Sequence, residues 1–432
     1  MTCNSKTYCK KSFCVLPWIH SFVNLGGHYQ VCCTGEEFNN FILGENGEKL
    51  NISDGHSIDS VMNSQYMKEF RLKLLSGELP DECTRCKVTE GAGGVSRRMV
   101  ENNEYASLID ELISKTSCEG RIDFKALHVD YRLGNVCNLQ CRMCNPKASR
   151  KWVDGYQKIP QKFRRLNLDK ELDNFKKDPW LDNGHYIAEF KQKLKTIERL
   201  HFGGGEPLYN PHMNRTLRAC VEEGRAKDIV LSYNTNLTIL SDETLSLWKE
   251  FKEVKLLVSI DAFGGLNDYI RYPSKWKDID ENLRLLDDKH RDYNVSEVMV
   301  STTVQANNIL HLDKLFDYLL KFKFVKKCPN LIMLYFPSYL TPLVLPKKIL
   351  SLSLLRLQSL LQRIKRREDI EPYMIQNIEQ VISFLASFIK KDQVGFEDFL
   401  NFTKAYDKNN NLDISKVNPE LKLYFSDLSN MD

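Results

Sequence analysis

No apolar run in these 432 residues approaches the roughly 18 needed to span a bilayer. The opening stretch, MTCNSKTYCKKSFCVLPW, has neither the apolar core nor the small-residue cleavage site of a signal peptide. Net charge is also scarce. Sixty-one basic residues stand against 57 acidic ones, a balance of +4 that does not indicate a nucleic-acid partner. There is no internal repeat and no low-complexity segment, which excludes solenoids and compositionally disordered chains. A cytoplasmic protein without a membrane partner is expected. What the chain does have is enough length for two or three domains and 42% hydrophobic residues, sufficient for a sizeable core. It also has 13 cysteines. In a reducing compartment that many thiols point first to metal ligation.

Up to about Glu101 the chain is rich in Gly, Asn and Cys. Trp18 to Cys32 reads as two short strands joined at Gly26-Gly27, and Ser60 to Leu75 as a helix ended by Ser76-Gly77. From Leu127 the texture becomes alternating apolar runs and helical stretches. Strands are predicted at 127–131, 197–202, 229–233, 255–260, 297–304 and 331–336, with helices over 210–223, 242–251, 276–290 and 310–322 between most of them. That alternation argues for a parallel sheet or barrel. The Lys- and Arg-rich segment 161–177 reads as a solvated helix or insertion. After Pro346, two helical stripes are predicted: Leu350, Leu354, Leu357, Leu361 and Ile364, then Ile375, Ile378, Ile382, Leu385 and Ile389. Asp407, Asn409 and Asn411 suggest a calcium loop, but Leu412 stands where its glycine belongs and Asn418 where its glutamate does.

Directly after the first barrel-type strand comes Val136-Cys137-Asn138-Leu139-Gln140-Cys141-Arg142-Met143-Cys144. Three thiolates from so short a loop can take three corners of a four-iron cube and leave the fourth iron open. A closed zinc site would want a fourth ligand, and His128 on the preceding strand reads as structural. This spacing resembles the radical S-adenosylmethionine (SAM) superfamily. Phe202-Gly203-Gly204-Gly205-Glu206-Pro207 after the second strand is similar to that family's Gly-Gly-Glu-Pro motif, in which Gly204, Gly205 and Glu206 would receive the SAM amino group. Close approach by glycine and a carboxylate for an ammonium make physical sense of it. The resemblance further implies Asn234 and Asn236 in Tyr233-Asn234-Thr235-Asn236, and Ser259 and Asp261 in Val258-Ser259-Ile260-Asp261, as residues near the ribose. It implies Arg271 for the SAM carboxylate, Val304-Gln305 as an adenine-facing contact, and Met143 where an aromatic beside the adenine is common. It covers about Leu127 to Pro346.

A second set comprises Cys14, Cys32 and the pair Cys83 and Cys86: one cysteine before the hairpin, one at its end and two after the helix. By spacing alone, zinc and an iron–sulfur cluster are equally suited. The set resembles the twitch domain, a shortened SPASM domain that here precedes the barrel, and that resemblance implies an auxiliary 4Fe–4S cluster. Cys33 competes with Cys32, since strand neighbours point to opposite faces. Cys3, Cys9, Cys118, Cys220 and Cys328 show no ligand spacing.

The expected fold is α/β: a cysteine-rich α+β region over 1–101, a partial (β/α)6 TIM-type barrel over 120–345 and a helical region over 346–432. The resemblance implies a radical oxidoreductase or modification enzyme. Cys137, Cys141 and Cys144 would hold a 4Fe–4S cluster at which SAM is reductively cleaved to a 5′-deoxyadenosyl radical, with flavodoxin or ferredoxin as electron donor. A peptide or protein side chain is the favoured substrate; a sugar, nucleotide or modified base is the alternative. Asp130, Tyr131, Arg132, Tyr335 and Tyr339 fall near strand ends within reach of a substrate, but core or rim packing is the favoured reading for each. A non-catalytic metal-binding interaction protein is the reading from another class.

Overall fold

The computed structural model describes residues 12–34, 40–182, 184–389, 394–422 and 424; Cys3 and Cys9 lie outside them. Eight strands form one sheet: β1 (His20–Val23), β2 (Tyr29–Gln30), β3 (His128–Arg132), β4 (Arg199–Gly203), β5 (Val230–Thr235), β6 (Glu253–Ser259), β7 (Val295–Val304) and β8 (Asn330–Met333). Their spatial order is β2-β1-β3-β4-β5-β6-β7-β8. Every pairing from β1 to β8 is parallel, and only β2 runs antiparallel, against β1. The six predicted barrel strands are present as β3 to β8. The predicted hairpin forms as well, but its first strand also pairs with β3, His20 opposite His128. The N-terminal region therefore extends the barrel sheet, and its apolar residues, from Phe13 to Phe124, share one core with the barrel's.

The named helices are α1 (Gln65–Ser76), α2 (Thr84–Gly91), α3 (Arg97–Glu104), α4 (Pro211–Glu222), α5 (Asp242–Trp248), α6 (Trp276–Lys289), α7 (Leu312–Leu319), α8 (Lys347–Ile364), α9 (Pro372–Ile389) and α10 (Phe396–Asn410). The single helix predicted over 60–75 is two, Ile58–Met62 and α1, because Ser64 caps the second by accepting from the Met67 N–H. Segment 161–177 contains only short helical turns. The tail stripes are rotated slightly from prediction. Ile349, Leu350, Ser353, Leu357, Leu360 and Ile364 are buried on α8, and Met374, Ile378, Val381 and Leu385 on α9.

Burial alternates strictly along β5, β6 and most of β7. Apolar residues such as Leu231, Val254, Leu256, Val258, Val298 and Val300 pack against the helices. The residues between them, including Ser232, Asn234, Lys255, Ser259, Ser301 and Thr303, are half-buried. A parallel sheet covered on both faces would be apolar on both. This one keeps a polar concave face, the lumen of a barrel left open between its edge strands. Among the described residues no helix is long and apolar enough to cross a membrane.

Candidate active site

The three-cysteine loop leaves β3 at the carboxyl end of the sheet, where parallel barrels build their sites. Gly134 turns the chain with φ +66°. Beyond it the loop is held by neighbours more than by its own regular structure. The Gln140 N–H donates to the Tyr272 carbonyl (2.6 Å) and the Arg142 N–H to that of Ile270 (3.0 Å), so the loop lies along the segment carrying Arg271. Trp152 Nε1 donates to the Cys141 carbonyl (2.9 Å) and Ser149 Oγ to the Leu139 carbonyl (2.5 Å). The thiols lie within electrostatic reach of one another, since Cys144 and Cys137 both act on Cys141. Burial raises all three, Cys137 to about 12.

The glycine loop after β4 presses on this cysteine loop. The Glu206 N–H donates to the Val136 carbonyl (2.9 Å), and a Cβ on Gly205 would stand 2.3 Å from that oxygen. A Cβ on Gly204, at φ +77°, would meet Leu25 at 2.5 Å. The close approach these glycines permit is thus to the neighbouring chain. Glu206 is buried. Its Oε1 accepts from Thr235 Oγ1 (2.6 Å) and the Leu208 N–H (3.1 Å), and its Oε2 from the Asn236 N–H (2.6 Å). A carboxylate has about four lone-pair sites, so one remains on Oε2. Burial raises Glu206 to about 7, against those hydrogen bonds, which lower it.

Asn236 Nδ2 donates to Asn138 Oδ1 (3.0 Å), tying the end of β5 to the cysteine loop. Asn234 and Ser259 are half-buried on the luminal face. Asp261 is fully buried, accepts from the Thr303 N–H (2.8 Å) and pairs with Arg271 Nε (2.9 Å). Arg271 in turn feels Cys141 and Cys144. The Val304 side chain lies in a second core, and its carbonyl accepts from the Leu334 N–H (3.0 Å). Met143 and Cys144 border a cavity of about 170 Å³ shared with Arg165, Phe336 and Tyr339. Tyr335 is exposed, and Tyr131 faces away from the lumen onto Tyr186 and Phe190.

Cys14, Cys32, Cys83 and Cys86 line one small cavity, walled by Leu16, Pro17, Val31 and Phe70 and bordered by Arg97 and Arg98. Cys14 feels the other three thiols, and burial raises it well above its ordinary value. Cys33 is outside this cavity. Its thiol, raised to about 12 by burial, feels Asp130 and Arg97 on the luminal side. There the fully buried Asp130 faces His20 and His201, which burial holds neutral, at about 3 and about 4. Cys220 and Cys328 are buried in the apolar cores and Cys118 is exposed. The arginines beside the four thiols were not foreseen. Their only trace in the sequence is the Ser96-Arg97-Arg98 start of a helix, which has no ligand signature.

Among the described residues no three His, Cys, Asp or Glu side chains stand close enough to share one metal ion. A partial parallel barrel thus carries three thiols, a buried glutamate and a paired arginine at its mouth. Residues 131–316 match the family model described as the radical SAM superfamily. That family uses a 4Fe–4S cluster and SAM. No curated protein matches the chain. Among solved structures, SuiB of Streptococcus suis bound to the precursor peptide SuiA is 14% identical, with TM-score 0.31, over 59% of this chain and 53% of SuiB. Native anSMEcpe with bound AdoMet is 15% identical, with TM-score 0.35, over 56% of this chain and 62% of its own. The chain thus spans little more than half the length of these structures.

Proposed function

We propose that the chain is a radical SAM enzyme in which Cys137, Cys141 and Cys144 hold a 4Fe–4S cluster and SAM is reductively cleaved there to methionine and a 5′-deoxyadenosyl radical that takes hydrogen from a substrate. The observation that carries this reading is the gathering of the three thiols beside Glu206 and Arg271 at one end of a polar lumen. Glu206, with a free lone-pair site, receives the SAM ammonium. Arg271, oriented by Asp261, presents its remaining donors to the carboxylate. The half-buried polar residues Asn234 and Ser259 face the ribose.

The four thiols Cys14, Cys32, Cys83 and Cys86 hold an auxiliary 4Fe–4S cluster in a twitch-like N-terminal region. Cys32 is the ligand rather than Cys33, because only Cys32 borders their common cavity. The pairing of such a site with a radical SAM barrel favours oxidation or cross-linking of a peptide or protein side chain, with a flavodoxin or ferredoxin as electron donor. The test is anaerobic iron and sulfide counting on reconstituted protein, run with an assay for 5′-deoxyadenosine from SAM and dithionite. Eight irons and SAM cleavage are expected, following from four per cluster. No iron-dependent cleavage under any reductant would promote the non-catalytic metal-binding protein instead.

A further inference from the structure

The helical region beyond residue 346 reaches back to the three-cysteine loop. Arg142, between two of the three cysteines, is fully buried. Burying an unpaired guanidinium costs several kcal/mol, and here Nη2 and Nε are paired while Nη1 has no hydrogen-bond partner among the described residues. Its Nη2 bonds Asp407 Oδ1 on α10, and its Nε donates to the Tyr269 carbonyl (3.1 Å). The guanidinium lies between the rings of Tyr269 (3.6 Å) and Tyr406 (4.3 Å), both within cation–π range. Asp407 is fixed in turn: its Oδ2 accepts from Tyr269 Oη (3.1 Å) and from the Ile414 N–H (3.1 Å). Tyr406 Oη donates to the carbonyl of Gln140, the residue before Cys141. Its ring packs 5.4 Å from that of Trp152, which holds the Cys141 carbonyl.

Well-packed apolar residues in place of a buried ion pair are often as stable or more so. What the charged pair adds is direction, applied to a loop that has little regular structure of its own. The geometry points to Tyr406 and Asp407 as positioning residues of the three-cysteine site, acting through Gln140 and Arg142, with α10 as the clamp that sets where the sulfurs stand. This rests on the proposed function only in taking those three cysteines as cluster ligands.

The test uses full-length protein carrying Cys83→Ala and Cys86→Ala, so that the iron counted belongs to the three-cysteine site. Anaerobic iron release to a chelator is timed, and the electron paramagnetic resonance spectrum of the reduced protein is recorded with and without SAM. Asp407→Asn and the near-isosteric Tyr406→Phe are compared with Arg356→Gln. The last breaks a tail contact to Glu420 and Leu310 instead of those to the cysteine loop. Iron release about tenfold faster in Asp407→Asn is expected, as for partners that orient metal ligands. A smaller acceleration is expected in Tyr406→Phe, and both should weaken the SAM-induced spectral change while Arg356→Gln behaves as the parent. Parent-like release and SAM response in both Asp407→Asn and Tyr406→Phe would overturn the inference, as would equal acceleration in Arg356→Gln. A parent without iron at the three cysteines would remove the proposed function together with it.

Discussion

The three thiols at the barrel mouth come from one short loop, whereas the four in the N-terminal cavity come from three segments between Cys14 and Cys86. A cluster at the mouth closes almost no chain. A cluster in the cavity ties the turn before β1, the end of the hairpin and the start of α2 together, and so takes its stabilisation from chain it orders. The surroundings differ in the same sense. With a cluster in each, three thiols beside Glu206 and Arg271 would leave a corner for a small polar molecule, and four thiols walled by Leu16, Pro17, Val31 and Phe70 would leave none. Under the proposed function, the open site would carry the chemistry and the closed one would hold structure and pass electrons.

The sharpest way to break that comparison is to remove ligands from each site in turn. Cys137→Ala should abolish 5′-deoxyadenosine formation and lower the iron count by about four, with little change in melting temperature. Cys83→Ala with Cys86→Ala should lose a similar amount of iron yet keep SAM cleavage. It should melt several degrees lower, because about 1 kcal/mol lowers the melting temperature by 2–4 °C or more in domains of moderate size. Equal losses of stability in the two variants, read by thermal denaturation, would dissolve the distinction.

Arg71 sharpens it from outside the ligands. This arginine on α1 is fully buried and donates to the carbonyls of Gly120 (2.8 Å), Pro17 (3.0 Å) and Met62 (2.7 Å). Desolvation lowers it to about 9. Arg71→Met orphans three buried acceptors, at about 1 kcal/mol or more each, and one of them is in the turn that follows Cys14. Destabilisation of about 3 kcal/mol or more is expected, with iron lost first from the four-thiol site. Chemical denaturation and iron counting on the variant check both parts.

The same contrast explains how much was legible in the sequence. The barrel strands stand out as short apolar runs between helical stretches, and the three cysteines are local, so both could be read from the sequence. The four-thiol set was legible as one site from its placement around the hairpin and its likeness to a twitch domain, but its place in the fold, where β1 joins the barrel sheet beside β3, was not. That pairing links His20 to His128 across more than a hundred residues, and no local pattern announces it. Arg142 was visible between two cysteines, but its partners Tyr406 and Asp407 lie 264 and 265 residues further on (406 − 142 and 407 − 142). The Asp407 position entered the sequence reading only as part of a failed calcium loop. Its actual role in holding a buried arginine required the fold.

The smallest expected effect separates the two sites by pH. Glu206 is raised to about 7 by burial. Below that value it carries a proton that must leave before its carboxylate can attract the SAM ammonium. Affinity for SAM should therefore rise with pH through about 7 and level off above it, and fall towards tenfold for each unit below. Measured on reconstituted protein between pH 6 and 8, binding should tighten by up to about tenfold. Glu206→Gln, which has no proton to lose, should bind weakly and with a flat profile over that range. The four-thiol cavity contains no carboxylate among its lining residues, so iron already bound there should be retained unchanged over the same range. A flat profile in the parent would mean that Glu206 serves only as the acceptor for Thr235, Leu208 and Asn236, and that the ammonium is received elsewhere.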